Sequence, residues 1–421
     1  MTEFASWNFS HLAIWLISAA SIALVLIRPR GIAEVWWSAL GACCLIIFRL
    51  VSPLQALQAV RKGVDVYLFL AGMMIMSEIA RREGVFDWVA AHAVRIAKGS
   101  RKRLFALIYC VGVGVTTLLS NDATAVVLTP AVLAAVKAAE AEPLPYLLTC
   151  AFIANAASFV LPISNPANLV VYRQGLPPLG KWLFTFGLPS LASILVTFLV
   201  LRLLSTGLLK GGLRSGVDFA PLSRQGKTTL LGIALLAAAL MTSSALNVDL
   251  GAPALAVGVL VMTIVAFQDH SVLNDVAKEV SWSVVPLVAG LFVLVEGMNN
   301  AGAQHLASHA LRQLQSWRPI DSGLAAAFGI ALISNIMNNL PSGLIAGGAV
   351  QAAHIAGELR SAVLIGVDLG PNLSVSGSLA TILWLIAIRR EGQNVGFWRF
   401  LKWGALVMTP ALTISILALY V

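Results

Sequence analysis

The sequence predicts an all-α polytopic membrane protein built as an inverted-topology repeat. It should hold about ten spanning helices, two helical hairpins and two discontinuous helices. Three observations predict this. First, 58% of the 421 residues are hydrophobic and 11% charged, against roughly 25% charged in soluble domains. Second, apolar stretches of roughly 20 residues, the length that crosses a bilayer, recur along the chain. Third, polar interruptions fall twice in each half. They are Ser120-Asn121-Asp122-Ala123-Thr124 and the stretch from Asn155 to Asn168, then Ser334-Asn335-Ile336-Met337-Asn338-Asn339-Leu340-Pro341-Ser342 and the stretch from Asp368 to Ser378. Asn, Asp, Ser and Pro at membrane depth are costly unless unwound backbone and side chains line a cavity. Two such breaks in each half read as a solute site at a repeat interface.

Taken in order, the apolar lengths predict spans over 12–27, 33–51, 64–80, 146–172 and 181–204 in the first half, and over 228–246, 252–267, 282–298, 361–388 and 397–421 in the second. Between the third and fourth span of each half lies a further apolar region, 104–136 and then 324–353. Each is broken at its centre by Asn and Asp or by two Asn, and so reads as a hairpin with a polar tip. The first apolar segment follows Glu3 and lacks a basic leader or a small-residue cleavage site, so it is expected to span rather than to be removed. Trp88 to Lys98 and His305 to Arg312 read as amphipathic helices lying at the two interfaces. The boundaries that follow are a first repeat over 1–206, a cytoplasmic linker over 207–227 and a second repeat over 228–421. The early spans of each repeat would form a scaffold. The hairpins and the broken helices 146–172 and 361–388 would form a transport domain. No stretch is left for a separate soluble domain.

The halves align with each other. Ala71-Gly72…Glu78…Gly84 matches Ala289-Gly290…Glu296…Gly302 at one constant offset. Asn121-Asp122 then pairs with Asn338-Asn339, and Asn155…Ser164-Asn165 with Asp368…Gly377-Ser378. An odd number of spans per repeat makes the second copy enter the membrane from the opposite side. Loop charge agrees. The segment after the third span carries Arg81, Arg82, Arg95, Lys98, Arg101, Lys102 and Arg103, and its counterpart carries Arg312 and Arg318. Taking the first as cytoplasmic puts Lys137, Lys210, Arg214, Arg389 and Arg390 inside as well. Lys62, Arg173, Arg360 and both termini then fall outside the cytoplasm. The net charge of +9 is thereby a mark of membrane topology and not of nucleic-acid binding.

Asp122 and Asp368 are the sharpest candidates for chemistry. Each adjoins a helix break where an ionised carboxylate is expensive unless a cation binds, which is the profile of a proton carrier. The plainer role is a helix cap. Asn121, Asn155, Asn165, Asn168, Asn338, Asn339 and Asn372, with Thr124, Ser158, Ser164, Ser376 and Ser378, supply both donors and acceptors for a solute. Taken singly, each could equally be an interhelical hydrogen bond. No Arg or Lys falls in the four breaks, so a neutral polyhydroxylated solute or a cation suits them better than a dianion. Glu78 and Glu296 occupy matching positions near helix ends. Cys43, Cys44, Cys110 and Cys150 read as small buried hydrophobes. His305 and His309 have zinc-like spacing but no third ligand, so neither metal nor cofactor is expected. Gln225-Gly226-Lys227-Thr228 lacks the upstream glycine and the strand of a phosphate-binding loop, which leaves an ion gradient or a separate ATPase as the energy source.

Asn121-Asp122-Ala123-Thr124-Ala125-Val126-Val127-Leu128-Thr129-Pro130, the Ser334 to Ser342 run, and Gly366-Val367-Asp368-Leu369-Gly370-Pro371…Gly377-Ser378-Leu379-Ala380-Thr381 closely resemble the arsenite efflux pumps of the ArsB family. The resemblance implies paired inverted repeats, bacterial inner-membrane location, and export of arsenite and antimonite in exchange for protons. It also implies possible association with a soluble arsenite-stimulated ATPase. The site then maps to the four breaks, with Asp122 and Asp368 as proton-coupling groups. Ser374-Val375-Ser376-Gly377 departs from the family's usual Thr/Ser-Pro-Ile-Gly, and Ser164-Asn165-Pro166-Ala167-Asn168 is closer to sodium-coupled relatives. A sodium/proton antiporter or a sodium-coupled anion carrier is the alternative. A channel would differ by showing no uphill movement. An enzyme is not expected, because no nucleophile–base pair is evident.

Overall fold

The computed structural model describes residues 9–172, 175–214 and 221–421; Glu3, Arg173 and linker positions 215–220 lie outside them. The first half runs through α1 (Phe9–Ile27), α2 (Glu34–Ile47), α3 (Pro53–Arg61), α4 (Val64–Arg82), α5 (Val85–Ala97) and α6 (Arg101–Leu118). A single turn, α7 (Asn121–Ala123), passes through a π-helical turn (Thr124–Leu128) into α8 (Thr129–Ala138). α9 (Leu144–Ala156), α10 (Pro166–Val171) and α11 (Leu179–Leu204) complete it. The second half repeats this order, with one continuous helix in the place of α7, the π-turn and α8. It contains α12 (Arg224–Ala245), α13 (Gly251–Ala266), α14 (Ser271–Glu279), α15 (Val284–Asn300) and α16 (Ala303–Leu314), then α17 (Pro319–Met337), α18 (Asn339–Ala352), α19 (Gly357–Leu369), α20 (Leu379–Arg390) and α21 (Phe397–Leu417). Among the described residues, 6 helical segments are long and apolar enough to cross a membrane, and α3 with α4, bent by 49°, makes a seventh. The other expected crossings are the shorter apolar helices α2, α9 and α13 and the broken helices.

Two elements went unpredicted, α3 and α14, which occupy the same place in each repeat. Both are too short and too polar to register as apolar length. Local chemistry explains α3: Ser52 and Gln55 form a reciprocal capping box and Pro53 occupies the first turn. α14 buries Val272 and Val276, spaced one turn apart. α12 begins at Arg224, within the stretch expected to be linker, because the Ser223 hydroxyl accepts from the Gly226 amide at 2.8 Å. Gln225 to Thr228 is therefore helix.

The repeats are inverted, as contacts between matching helices show. Lys62, just before α4, reaches Glu296 near the end of α15 at 3.0 Å, and Tyr67 packs edge-on against Phe292. The equivalent helices α4 and α15 thus run antiparallel. In contrast, α4 runs parallel to α13. Asp65 at its start accepts from the Gly251 amide at 2.6 Å, and Arg82 at its end pairs with Asp269 at 2.7 Å. α2 and α15 make the mirrored contact, with Gly290 against Ser38 and Gly297 against Leu45. Each repeat therefore lends its second helix to the other's fourth. The repeated glycines make these crossings close: a Cβ on Gly72 would strike the Ala254 carbonyl, and one on Gly290 would crowd the Ser38 hydroxyl and the backbone behind it.

Charge separates the two ends of the molecule. At the end where α4 finishes, Arg101 donates to the carbonyls of Lys210, Gly212 and Glu140, Arg214 pairs with Glu140, and Lys137 reaches Glu391. Asp269 there is held down to about 2 by hydrogen bonds from Ser271 and Arg82. The opposite end carries the Lys62–Glu296 pair and Arg360, which lies over the Tyr172 ring at 3.8 Å.

Candidate functional site

Two hairpins and two broken helices build the site. In the first hairpin, extended Ser120 ends α6 and its hydroxyl accepts from the Ala123 amide at 3.2 Å. In the second, Asn338 (φ 76°, ψ 152°) separates α17 from α18, and its side-chain oxygen accepts from the Leu340 amide at 3.3 Å. A hydroxyl pair clamps each hairpin behind its tip: Thr116 with Thr124 at 2.8 Å, and Ser334 with Ser342 at 2.7 Å. These clamps and the two helix starts set the register of the repeat. They pair Ser120 with Asn338, Asn121 with Asn339 and Asp122 with Leu340. That corrects the sequence pairing of Asn121-Asp122 with Asn338-Asn339 by one residue. Sequence alignment favoured the amide-to-amide match, whereas the fold aligns the caps.

The broken helices restart by equivalent caps. The Asn165 side chain accepts from the Ala167 amide at 3.0 Å to start α10, with Pro166 in its first turn. The Ser378 hydroxyl accepts from the Thr381 amide at 3.1 Å to start α20. Both are polar residues at the helix N-terminus, where unpaired amides and the dipole favour oxygen ligands.

All four starts meet at one chamber of about 50 Å³, lined by Asn121, Asp122, Asn165, Asn338, Asn339 and Ser378. Its remaining wall is apolar: Ile22 and Val25 from α1, Leu70 from α4, Val288 and Leu291 from α15, and Leu340. Asp122 is partly buried and its carboxyl reaches no donor among the described residues. A small solute here would meet amides on two sides, one hydroxyl, one carboxyl and hydrocarbon elsewhere.

The other predicted residues do not line the chamber, because hydrogen bonds within the protein already hold them. Thr124 is taken by the clamp, and its carbonyl accepts from Thr129, which fills the wide π-turn. Asn155 donates to Asn372 at 3.0 Å, and Asn372 donates to the Phe152 carbonyl at 3.0 Å, joining the two breaks. Ser158 donates to the Asn155 carbonyl, Asn168 to the carbonyls of Ser158 and Leu161, and Ser164 to that of Thr117. Ser376 donates to the Asn335 carbonyl. Asp368 is fully buried one hydrogen bond behind the chamber, accepting from Asn165 at 2.8 Å on one oxygen while the other has no partner.

Sequence reasoning missed Asn335 as a member of the site. Its amide donates to the carbonyls of Ala331 and Gly370, and its oxygen accepts from Ser374 at 2.6 Å, so it holds the second hairpin against the second break. Its place three residues before the tip was the available signal. The apolar wall carried none, since a leucine facing a chamber reads like one facing lipid. A larger polar cavity of about 580 Å³, lined by Lys62, Glu296, Asn299, Gln304, Gln351 and Arg360 among others, was equally unforeseen. It lies one turn farther along α10, α15 and α18, which line both spaces.

Glu78 and Glu296 are both ion-paired, with Arg81 at 2.5 Å and Lys62 at 3.0 Å. The cysteines correct one expectation: Cys43 and Cys110 are exposed on outer helix faces, Cys44 is partly so, and Cys150 alone is buried. None of the four lines either cavity. Among the described residues no cluster of His, Cys, Asp and Glu could hold a metal ion.

Inverted repeats that bring four polar helix starts to one chamber fit a multi-pass membrane transporter. The citrate transporter (CitMHS) family profile matches residues 22–371, and the chain belongs to that family. It is also similar to arsenical pump membrane proteins. One, from Escherichia coli K12, is 27% identical over 96% of this chain and 97% of its own length; one from Yersinia enterocolitica is 28% identical over 96% and 97%. The motif resemblance thus extends over almost the whole chain. The YdaH transporter of Alcanivorax borkumensis has a similar fold, with a TM-score of 0.57 and 15% identity over 98% of both chains.

Proposed function

We propose that this protein exports arsenite and antimonite from the cytoplasm in exchange for protons, by alternating access, across a bacterial inner membrane. The observation that carries the reading is the chamber. It is lined by uncharged amides, one hydroxyl and the Asp122 carboxyl, without a cation or a thiol. Arsenite at neutral pH is mostly an uncharged trihydroxide, which hydrogen bonds can surround and later release; three thiolates would hold it too long. The likeness to arsenical pump membrane proteins along the whole chain supports the same solute.

Asp122 is the proton carrier that faces the solute. Asp368 acts through Asn165: a carboxyl with one oxygen held and one unpartnered exchanges a proton without breaking that bond. One proton moving down about 100 mV supplies roughly 2.3 kcal/mol, which supports a solute gradient of roughly 50-fold. The hairpins and broken helices (104–136, 146–172, 324–353 and 361–388) form the moving body against a scaffold of the early helices. The basic end around Arg101 faces the cytoplasm, and both termini face away from it. A soluble arsenite-stimulated ATPase is the expected partner where one is present.

The citrate transporter profile favours one second reading, an anion carrier, for which the Ser164 to Asn168 stretch would make sodium the coupling ion. Arsenite uptake into inverted vesicles separates the two. Uptake driven by a pH gradient and indifferent to sodium supports arsenite/proton exchange. Uptake that needs sodium, or citrate moving in place of arsenite, overturns it.

A further inference from the structure

The larger cavity holds a guanidinium that pairs with no carboxylate among the described residues. Arg360, in the first turn of α19, lies over the Tyr172 ring at 3.8 Å, and its Nε is buried without a hydrogen-bond partner among the described residues. The ring covers one face of the group, while its two terminal nitrogens, which make no hydrogen bond among the described residues, are left to the cavity, and such a guanidinium suits a carboxylate or phosphate oxygen pair. Among the described residues the one carboxylate lining the same cavity, Glu296, is held by Lys62 at 3.0 Å, so its charge is offset and Arg360 sets the sign of the space. Gln304 is occupied by the Gly348 carbonyl, whereas Gln351 and His354 are exposed to the cavity and free to add donors. The volume of about 580 Å³ admits a small oxyanion with its water.

We propose that this cavity is a second binding site, distinct from the chamber, which takes a small dissolved oxyanion of the phosphate type on Arg360. Its position one turn beyond the chamber on α10, α15 and α18 places a bound anion where it touches both the broken helix and the second hairpin. Ordering these elements is the effect such an anion would have. The site stands whichever solute the chamber carries.

Thermal unfolding of the purified full-length protein tests this, with inorganic phosphate compared against chloride at equal ionic strength. The wild type should gain several degrees from phosphate in the millimolar range. Arg360→Gln should lose that gain, and Arg360→Lys should keep only part of it. Gln351→Glu, which leaves the Tyr172 stack intact, should also lose most of it; this variant keeps the test valid if Arg360→Gln folds poorly. The same phosphate gain in wild type and Gln351→Glu overturns the site, as does no gain in the wild type. A gain produced by an anionic phospholipid headgroup but not by inorganic phosphate overturns the assignment of a dissolved anion.

Discussion

The two hairpin tips begin from the same plan and differ in what they place in the chamber. Each has a hydroxyl clamp behind it, Thr116 with Thr124 and Ser334 with Ser342, and each opens its second helix with a capping side chain. The first tip then presents Asp122 and continues through a π-turn, while the second presents Leu340 at the matching position and starts from a left-handed Asn338. Titratable chemistry therefore sits in one tip and backbone strain in the other. Inversion supplied a near-symmetric chamber; Asp122 at the place matched by Leu340 is where that symmetry breaks, and the proposed proton coupling rests on this difference.

The largest effect should come from removing that difference. Asp122→Asn keeps the side-chain size and should abolish pH-driven solute accumulation in vesicles while leaving solute–solute exchange. Adding Leu340→Asp moves the acid to the matching position of the other repeat and should restore part of the pH dependence. Wild-type accumulation by Asp122→Asn vesicles would show that the asymmetry of the tips has no part in coupling.

How much of this was legible beforehand depends on which physical signal each part left. Membrane helices announce themselves by apolar length, so α1, α4, α11, α12 and α21 lie within a few residues of their expected bounds. The amphipathic helices α5 and α16 showed in their periodicity. α3 and α14 left neither signal. Within the site, the four breaks were visible because Asn, Asp and Pro are rare at membrane depth. Which members of each break line the chamber was not visible. Asn165 and Asn168 lie three residues apart with the same side chain, yet one faces the chamber and the other ties Ser158 and Leu161. Only the path of the unwound backbone decides that. The one-residue slip in pairing the tips has the same origin, because amides matched in sequence while caps matched in space.

A smaller effect should separate the clamps. Thr124→Val leaves the fully buried Thr116 hydroxyl without its partner, at a cost of about 1–3 kcal/mol. Ser342→Ala loses the bond to Ser334 and also its bond to the Asn338 carbonyl at 2.8 Å, in the strained tip itself. Thermal unfolding in detergent should therefore rank Ser342→Ala as the more destabilising. The reverse order would mean that the second tip does not depend on its clamp.

The smallest effect should differ in sign between the tips. Asn338 has a backbone conformation that glycine adopts freely and that costs other residues about 1–3 kcal/mol. Asn338→Gly removes that strain, loses a cap worth only a few tenths of a kcal/mol on replacement by Gly, and adds up to about 1 kcal/mol of chain entropy. The net change should be a gain of up to about 1 kcal/mol. Ser120, its counterpart, is extended at φ 176° and unstrained, so Ser120→Gly keeps both penalties and should lose about 1 kcal/mol. Unfolding midpoints of the two variants, measured side by side, give the comparison directly. If both fall, the strain in the second tip is offset by contacts around Asn338, and the division of labour between the tips rests on Asp122 alone.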